Sequence, residues 1–83
     1  MYQIVLSRSA EKDLDRIDKK SKPYIFTALF DLRKNPYLGK KLKGKLQEYY
    51  SLRVGMYRII YRIYKKELNI LIIRIGHRQG IYK

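Results

Sequence analysis

Hydrophobic and polar positions recur with two different periods along this chain, and the change of period divides it. Residues 2–6, YQIVL, read as a short strand with Ile4 and Leu6 on one face and Val5 on the other. Ala10, Leu14 and Ile17 then recur at helical spacing and predict a helix with a narrow apolar stripe. Ser7 or Ser9 is placed to cap it, and Glu11 falls in the first turn, where the helix dipole favours an anion. Lys12, Asp13, Asp15 and Arg16 are read as its solvated side, with no catalytic role. After a basic break at residues 19–22, Pro23 suits the first turn of a second helix, with Ser21 or Lys22 near the cap. Its stripe is Ile25, Ala28, Leu29 and Leu32, widened by Phe26 and Phe30. Pro36 disfavours helical geometry in the residue before it, so the helix should stop at Asn35. Two helices joined by a short basic turn predict an antiparallel helical hairpin.

Residues 36–45, PYLGKKLKGK, read as a loop. Its Lys40, Lys41, Lys43 and Lys45 fit either a solvated connection or an arm that contacts phosphates as point charges. From Leu46 the period becomes two. Tyr50, Leu52 and Val54 fall on one face, and Tyr49, Ser51 and Arg53 on the other. Gly55 and Met56 can form a tight hairpin turn. The next strand puts Tyr57, Ile59, Tyr61 and Ile63 on one face and Arg58, Ile60, Arg62 and Tyr64 on the other. Residues 65–67 turn the chain into a nearly continuous apolar run, 68–75, broken by Arg74. Such a run should be a central strand covered on both sides, between residues 57–64 and the N-terminal strand. The predicted fold class is α+β: an N-terminal strand, an antiparallel helical hairpin and a three-stranded antiparallel meander, with helices on one face and Tyr and Arg on the other.

Length limits the chain to one small domain, residues 1–83. Charge says more. Residues 1–35 carry eight basic and five acidic groups, and residues 36–83 carry twelve and two, so most of the net +13 belongs to the half with the strands. That imbalance points to a polyanionic partner, a nucleic acid or an acidic protein. The chain has no cysteine, so neither a disulfide nor a cysteine metal site can supplement the core. No apolar run reaches membrane-spanning length, and the first residues do not read as a signal peptide. A cytoplasmic protein without membrane contact is expected.

A single histidine and no cysteine argue against a metal centre, and no cofactor is expected. No serine sits in a nucleophile elbow, and the glycines lack phosphate-loop spacing. What remains is arginine, lysine, tyrosine and one histidine on a sheet. This inventory suits RNA cleavage by attack of a 2′-hydroxyl on its neighbouring phosphate. Arginine holds phosphate where charge accumulates, histidine transfers protons near neutral pH, and tyrosine stacks on an unstacked base.

LRVGMYRIIY followed by IRIGHRQGIY resembles the RelE family of toxins, within the RelE/ParE superfamily. The NP after the second helix and the GKKLKG loop agree, and the resemblance spans essentially the whole chain. It implies a metal-independent ribonuclease that cuts mRNA, usually at the ribosome, and so inhibits translation. It also implies an acidic RelB-like antitoxin; the toxin alone would be monomeric and the complex a hetero-oligomer. By the same resemblance, Arg58 contacts the scissile phosphate, Arg78 stabilises the transition state, Tyr82 stacks on a base and Arg53 binds RNA backbone. Some relatives carry two lysines, one of them the general base, where this chain has Tyr49 and Ser51. His77 is therefore the preferred acid or base, against a strand-end residue bonded to backbone. Tyr49, Tyr50, Tyr57 and Tyr61 are assigned to packing. Two other readings stay open: a ParE-type gyrase poison, and a catalytically silent nucleic-acid or antitoxin-binding module.

Overall fold

The computed structural model describes residues 1–77. The chain runs β1 (Gln3–Leu6), α1 (Arg8–Arg16), α2 (Lys22–Lys34), a 3-10 turn (Pro36–Leu38), β2 (Lys40–Lys41), a second 3-10 turn (Gly44–Leu46), β3 (Tyr50–Val54), β4 (Tyr57–Tyr64) and β5 (Asn69–His77). The sheet order is β1-β5-β4-β3-β2. β1 lies parallel to β5, and the other pairings are antiparallel. β5 is central, as its apolar run predicts, flanked by β4 and β1. It is not covered on both sides: Ile70, Ile72 and Ile75 are buried, whereas Leu71 and Ile73 on the same strand are only partly so.

Ser7 caps α1, its Oγ accepting from the Ala10 N–H at 3.0 Å. Ala10 and Ile17 from α1 join Ile25, Leu29 and Leu32 from α2 against Ile59, Tyr61, Ile70, Ile72 and Ile75 of the sheet. Each fully buried isoleucine contributes about 1.5–3 kcal/mol of transfer free energy. Phe26 and Phe30 do not widen the core stripe. Both are about half exposed, and the Lys34 ammonium lies 4.7 Å from the centre of the Phe30 ring. The sheet already occupies the side of α2 that Ile25, Leu29 and Leu32 present, so the flanking aromatics stay outside.

The lysine-rich loop becomes partly ordered as a fifth strand. Lys40 and Lys41 pair with Ser51 and Tyr50. Tyr61 anchors the approach to it. Its hydroxyl donates to the Pro36 carbonyl at 2.7 Å and accepts from the Gly39 N–H at 2.9 Å. Burial pushes this phenol up to about 12 despite the Gly39 bond. Gly39 is required at this approach, because a Cβ there would stand 2.6 Å from the Tyr61 hydroxyl and 2.9 Å from the Ser51 carbonyl. Gly55 turns the β3–β4 hairpin with φ of 59°, which favours glycine.

β5 contains an irregularity that decides which side chains share a face. Tyr61 pairs with Ile72, whereas Ile60 pairs with Arg74, so Ile73 is an extra residue. The insertion keeps Ile75 on the helix side with Ile72 and turns Arg74 and Gly76 to the helix-free side. β1 ends opposite Ile72, leaving the next edge groups of β5 without a strand partner. Ser7 Oγ donates to the Ile73 carbonyl at 2.8 Å, and Asp13 Oδ2 accepts from the Ile75 N–H at 2.9 Å. Asp13 is therefore buried, not on a solvated side.

Candidate nucleic-acid interface

Cross-strand register assembles the helix-free face row by row. In one row Lys40, Ser51, Ile60 and Arg74 lie side by side on β2, β3, β4 and β5. In the next, Arg53, Arg58 and Gly76 do so. Neighbouring strands stand about 4.8 Å apart, so the first row spans about 14 Å. Arg53 and Arg58 are direct cross-strand partners, which brings two cationic side chains to neighbouring positions on one face. Arg58 is half-buried, and its Nη1 donates to Ser51 Oγ at 3.4 Å, which ties the guanidinium to the floor of the face. Arg53 is exposed.

Further along β4, Arg62 points to the same side. Its Nη2 lies 3.5 Å from Glu48 Oε1, and its guanidinium sits 5.0 Å from the Tyr64 ring centre. Lys40 reaches the arginine-bearing face beside Ser51, while Lys41 pairs with Tyr50 on the helix side. The candidate lysines are thus divided by the sheet. Lys43 and Lys45 are exposed beyond β2.

His77 is not on the arginine face. It pairs with Tyr57, and the two rings are 4.9 Å apart at 41° on the helix side. Both line a cavity of about 500 Å³ with Asp18, Ser21, Tyr24 and Met56. Hydrogen bonds from Ser21 hold the Asp18 carboxyl below its ordinary value, with smaller help from Lys20 and His77. The extra residue in β5 is the physical reason for this placement, because it reverses the alternation of every residue beyond it. Arg78 and Tyr82 lie outside the described residues. Tyr50, Tyr57 and Tyr61 do pack within the fold, but on the helix side and not on the arginine face, where the predicted architecture puts tyrosine. Tyr50 and Tyr61 stack at 5.5 Å, with Tyr37 edge-on to Tyr50 at 5.9 Å.

Sequence reasoning missed Asp13. Its position was legible, since 10, 13, 14 and 17 all fall on one helical stripe. A carboxylate on that stripe needs a partner, and Arg74 provides it: Nε donates to Oδ2 at 2.8 Å and Nη2 to Oδ1 at 3.2 Å. Burial pushes the Asp13 carboxyl up. The Arg74 and Ile75 hydrogen bonds and the charges of Arg74 and Arg16 outweigh this, leaving it below its ordinary value. Among the described residues, no three His, Cys, Asp or Glu side chains are grouped to hold a metal ion.

What the face can do chemically is grip a polyanion, with two arginines at paired strand positions and a lysine at the edge. Comparison with known proteins agrees in fold and family. A profile of the ParE toxin of the type II toxin–antitoxin system parDE matches residues 4–82. Toxin RelG of Mycobacterium tuberculosis is 31% identical over 84 residues, covering 99% of this chain and 97% of the relative. Toxin RelE of the same organism is 32% identical, covering 99% and 87%. The fold matches the crystal structure of the toxin–antitoxin complex RelBE2 from M. tuberculosis with a TM-score of 0.86 at 30% identity, over 93% of this chain and 98% of that one. The isolated E. coli RelE toxin shares the fold with a TM-score of 0.83 at 18% identity, over 99% and 92%. With an α+β sheet of this order, a guanidinium-lined open face and a family match over nearly its whole length, the chain belongs to the ParE toxin family of type II toxin–antitoxin systems, in the RelE/ParE superfamily.

Proposed function

We propose that this toxin is a metal-independent endoribonuclease that cuts mRNA, on the ribosome, through attack of the 2′-hydroxyl on the adjacent phosphate. The observation that carries the reading is the Arg53–Arg58 cross-strand pair on the side of the sheet away from the helices, with Arg58 tied to Ser51. Arginines side by side on neighbouring strands suit a phosphate, most of all the extra charge of a phosphorane. In this reading Arg58 contacts the scissile phosphate, Arg53 and Lys40 hold flanking backbone, and Lys41, Lys43 and Lys45 extend the positive field. Arg78 and Tyr82, which follow β5 directly in sequence, are assigned transition-state stabilisation and base stacking. The relatives named RelG and RelE support the same reading. The partner is an acidic RelB-like antitoxin, supported by the RelBE2 complex and by the net charge of +13. Its setting is the cytoplasm.

A second reading has specific support. The matching profile is described as a ParE toxin, and His77 faces away from Arg58. A gyrase poison with this fold needs no proton-transfer pair on the arginine face. The two readings separate in one experiment. Purified toxin is added to translating ribosomes and, separately, to gyrase with supercoiled DNA. Cleaved mRNA that disappears with Arg58→Ala and Arg78→Ala is the expected outcome. Intact mRNA together with trapped gyrase–DNA cleavage complexes overturns it. Following cleavage by His77→Gln against pH assigns the histidine: an unchanged profile removes it from proton transfer.

A further inference from the structure

Arg74 enters neither reading above, yet two hydrogen bonds to one carboxylate hold it in place. Its Nε and Nη2 are fixed by the two oxygens of Asp13, and Asp13 in turn is fixed by the Ile75 N–H. The Asp13 side chain is 10% exposed, whereas that of Arg74 is 51% exposed. Among the described residues no hydrogen bond engages Nη1 of Arg74. The guanidinium therefore has one edge locked to the protein and the opposite edge turned to solvent. Its strand position completes the row from Lys40 and lies diagonal to Arg58, since Arg58 pairs with Gly76 two residues on. Diagonal positions in a sheet stand about 7–8 Å apart, and Gly76 puts no side chain between these two. From its position the Arg74 guanidinium reaches to the edge of β5 beyond the end of β1, where Asp13 meets the Ile75 N–H.

We propose that Arg74 is a phosphate-binding residue for single-stranded RNA, taking a backbone phosphate next to the one on Arg58, and that Asp13 is its positioning residue. This rests on the ribonuclease reading. The physical advantage of the pair is orientation. A free arginine loses rotamer freedom when it binds phosphate, whereas one already clamped by a carboxylate has lost it on folding. The carboxylate cancels the charge of Arg74 at a distance but leaves the outward donors available at contact. Asp13 thereby exchanges long-range attraction for a fixed geometry. The structural alternative is that the pair only closes the edge of β5 where β1 ends.

The test uses the full chain and a short single-stranded RNA oligonucleotide, with affinity measured over a range of salt concentrations. The double substitution Asp13→Asn/Arg74→Gln removes one negative and one positive charge, so the net charge stays at +13. Asn keeps an acceptor for the Ile75 N–H, and no charge is left buried alone. The proposal expects affinity to fall about fivefold and the salt slope to fall by about 0.7, the loss of one phosphate contact on a single strand. A merely structural pair leaves both unchanged at equal thermal stability, and that result overturns the proposal. Asp13→Asn alone sharpens the point. If orientation matters, binding weakens although the chain gains a unit of net positive charge; if it tightens, Arg74 acts as a bare charge and the positioning role is lost. Arg58→Ala serves as the reference. Loss of binding with Arg58→Ala but not with the double substitution defeats this inference only, whereas unchanged binding in both defeats the ribonuclease reading itself.

Discussion

The two faces of the sheet are made from the same strands and use opposite physics. On the helix side, Ile59, Tyr61, Ile70, Ile72 and Ile75 are almost wholly buried. On the other side, one residue away along each strand, stand Lys40, Arg53, Arg58 and Arg74. Alternation alone accomplishes this, since successive side chains of a strand point to opposite faces. The lesson is that one set of strands can divide apolar burial from charge, although Ser51 and Ile60 are buried on the charged side as well. The helix side gains free energy from removing apolar area from water. The other side places cationic side chains at neighbouring positions on adjacent strands.

Substitutions can break that separation or sharpen it. Ile72→Ala should have the largest effect on folding, about 2–5 kcal/mol, because it opens a void between β5 and the helices. Urea denaturation measures it, and a loss below about 1 kcal/mol would mean the helix side is less tightly packed than described. Tyr61→Phe should cost about 1–3 kcal/mol, since the Pro36 carbonyl and Gly39 N–H both lose their partner. The β2 edge should loosen first, visible as faster amide exchange at Lys40 and Lys41. Equal exchange in mutant and wild type would show that Tyr61 does not anchor that edge.

The smallest effect lies where the faces meet. Asp13→Asn should cost on the order of 1 kcal/mol at neutral pH. The folded carboxyl lies below its ordinary value, so its contribution is present above the unfolded pKa and is lost as pH falls through the folded one. The stability gap between wild type and variant should therefore close as pH drops below about 4. A gap that is constant down to acid pH would show that the charge of Asp13 contributes nothing.

Much of this arrangement was legible in the chain. The apolar run before Arg74 marked the central strand, and alternation along 57–64 put Arg58 opposite the core. The short β2 was not legible, because Lys40 and Lys41 have no strand-forming preference of their own and are held by β3 and by the Tyr61 anchor. Nor was the extra residue at Ile73. A run of isoleucines has the same appearance in either register, so nothing in it announces the position where alternation reverses. That single residue separated His77 from Arg58. Phe26 and Phe30 show the opposite error: apolar residues next to a buried stripe were given to the core, although α2 presents only one side to the sheet.

The parallel pairing of β1 with β5 has a consequence for how the toxin comes into being. Ser7 bonds to Ile73, a loop closure of 66 residues, and β5 lies between β1 and β4. A nascent chain lacking β5 has no neighbour for β1 and an open edge on β4. Long-range closures of this kind slow folding relative to local ones. The cationic rows reach their full width only when β5 enters. Assembly of the rows from Lys40 to Arg74 is therefore tied to a closure across 66 residues.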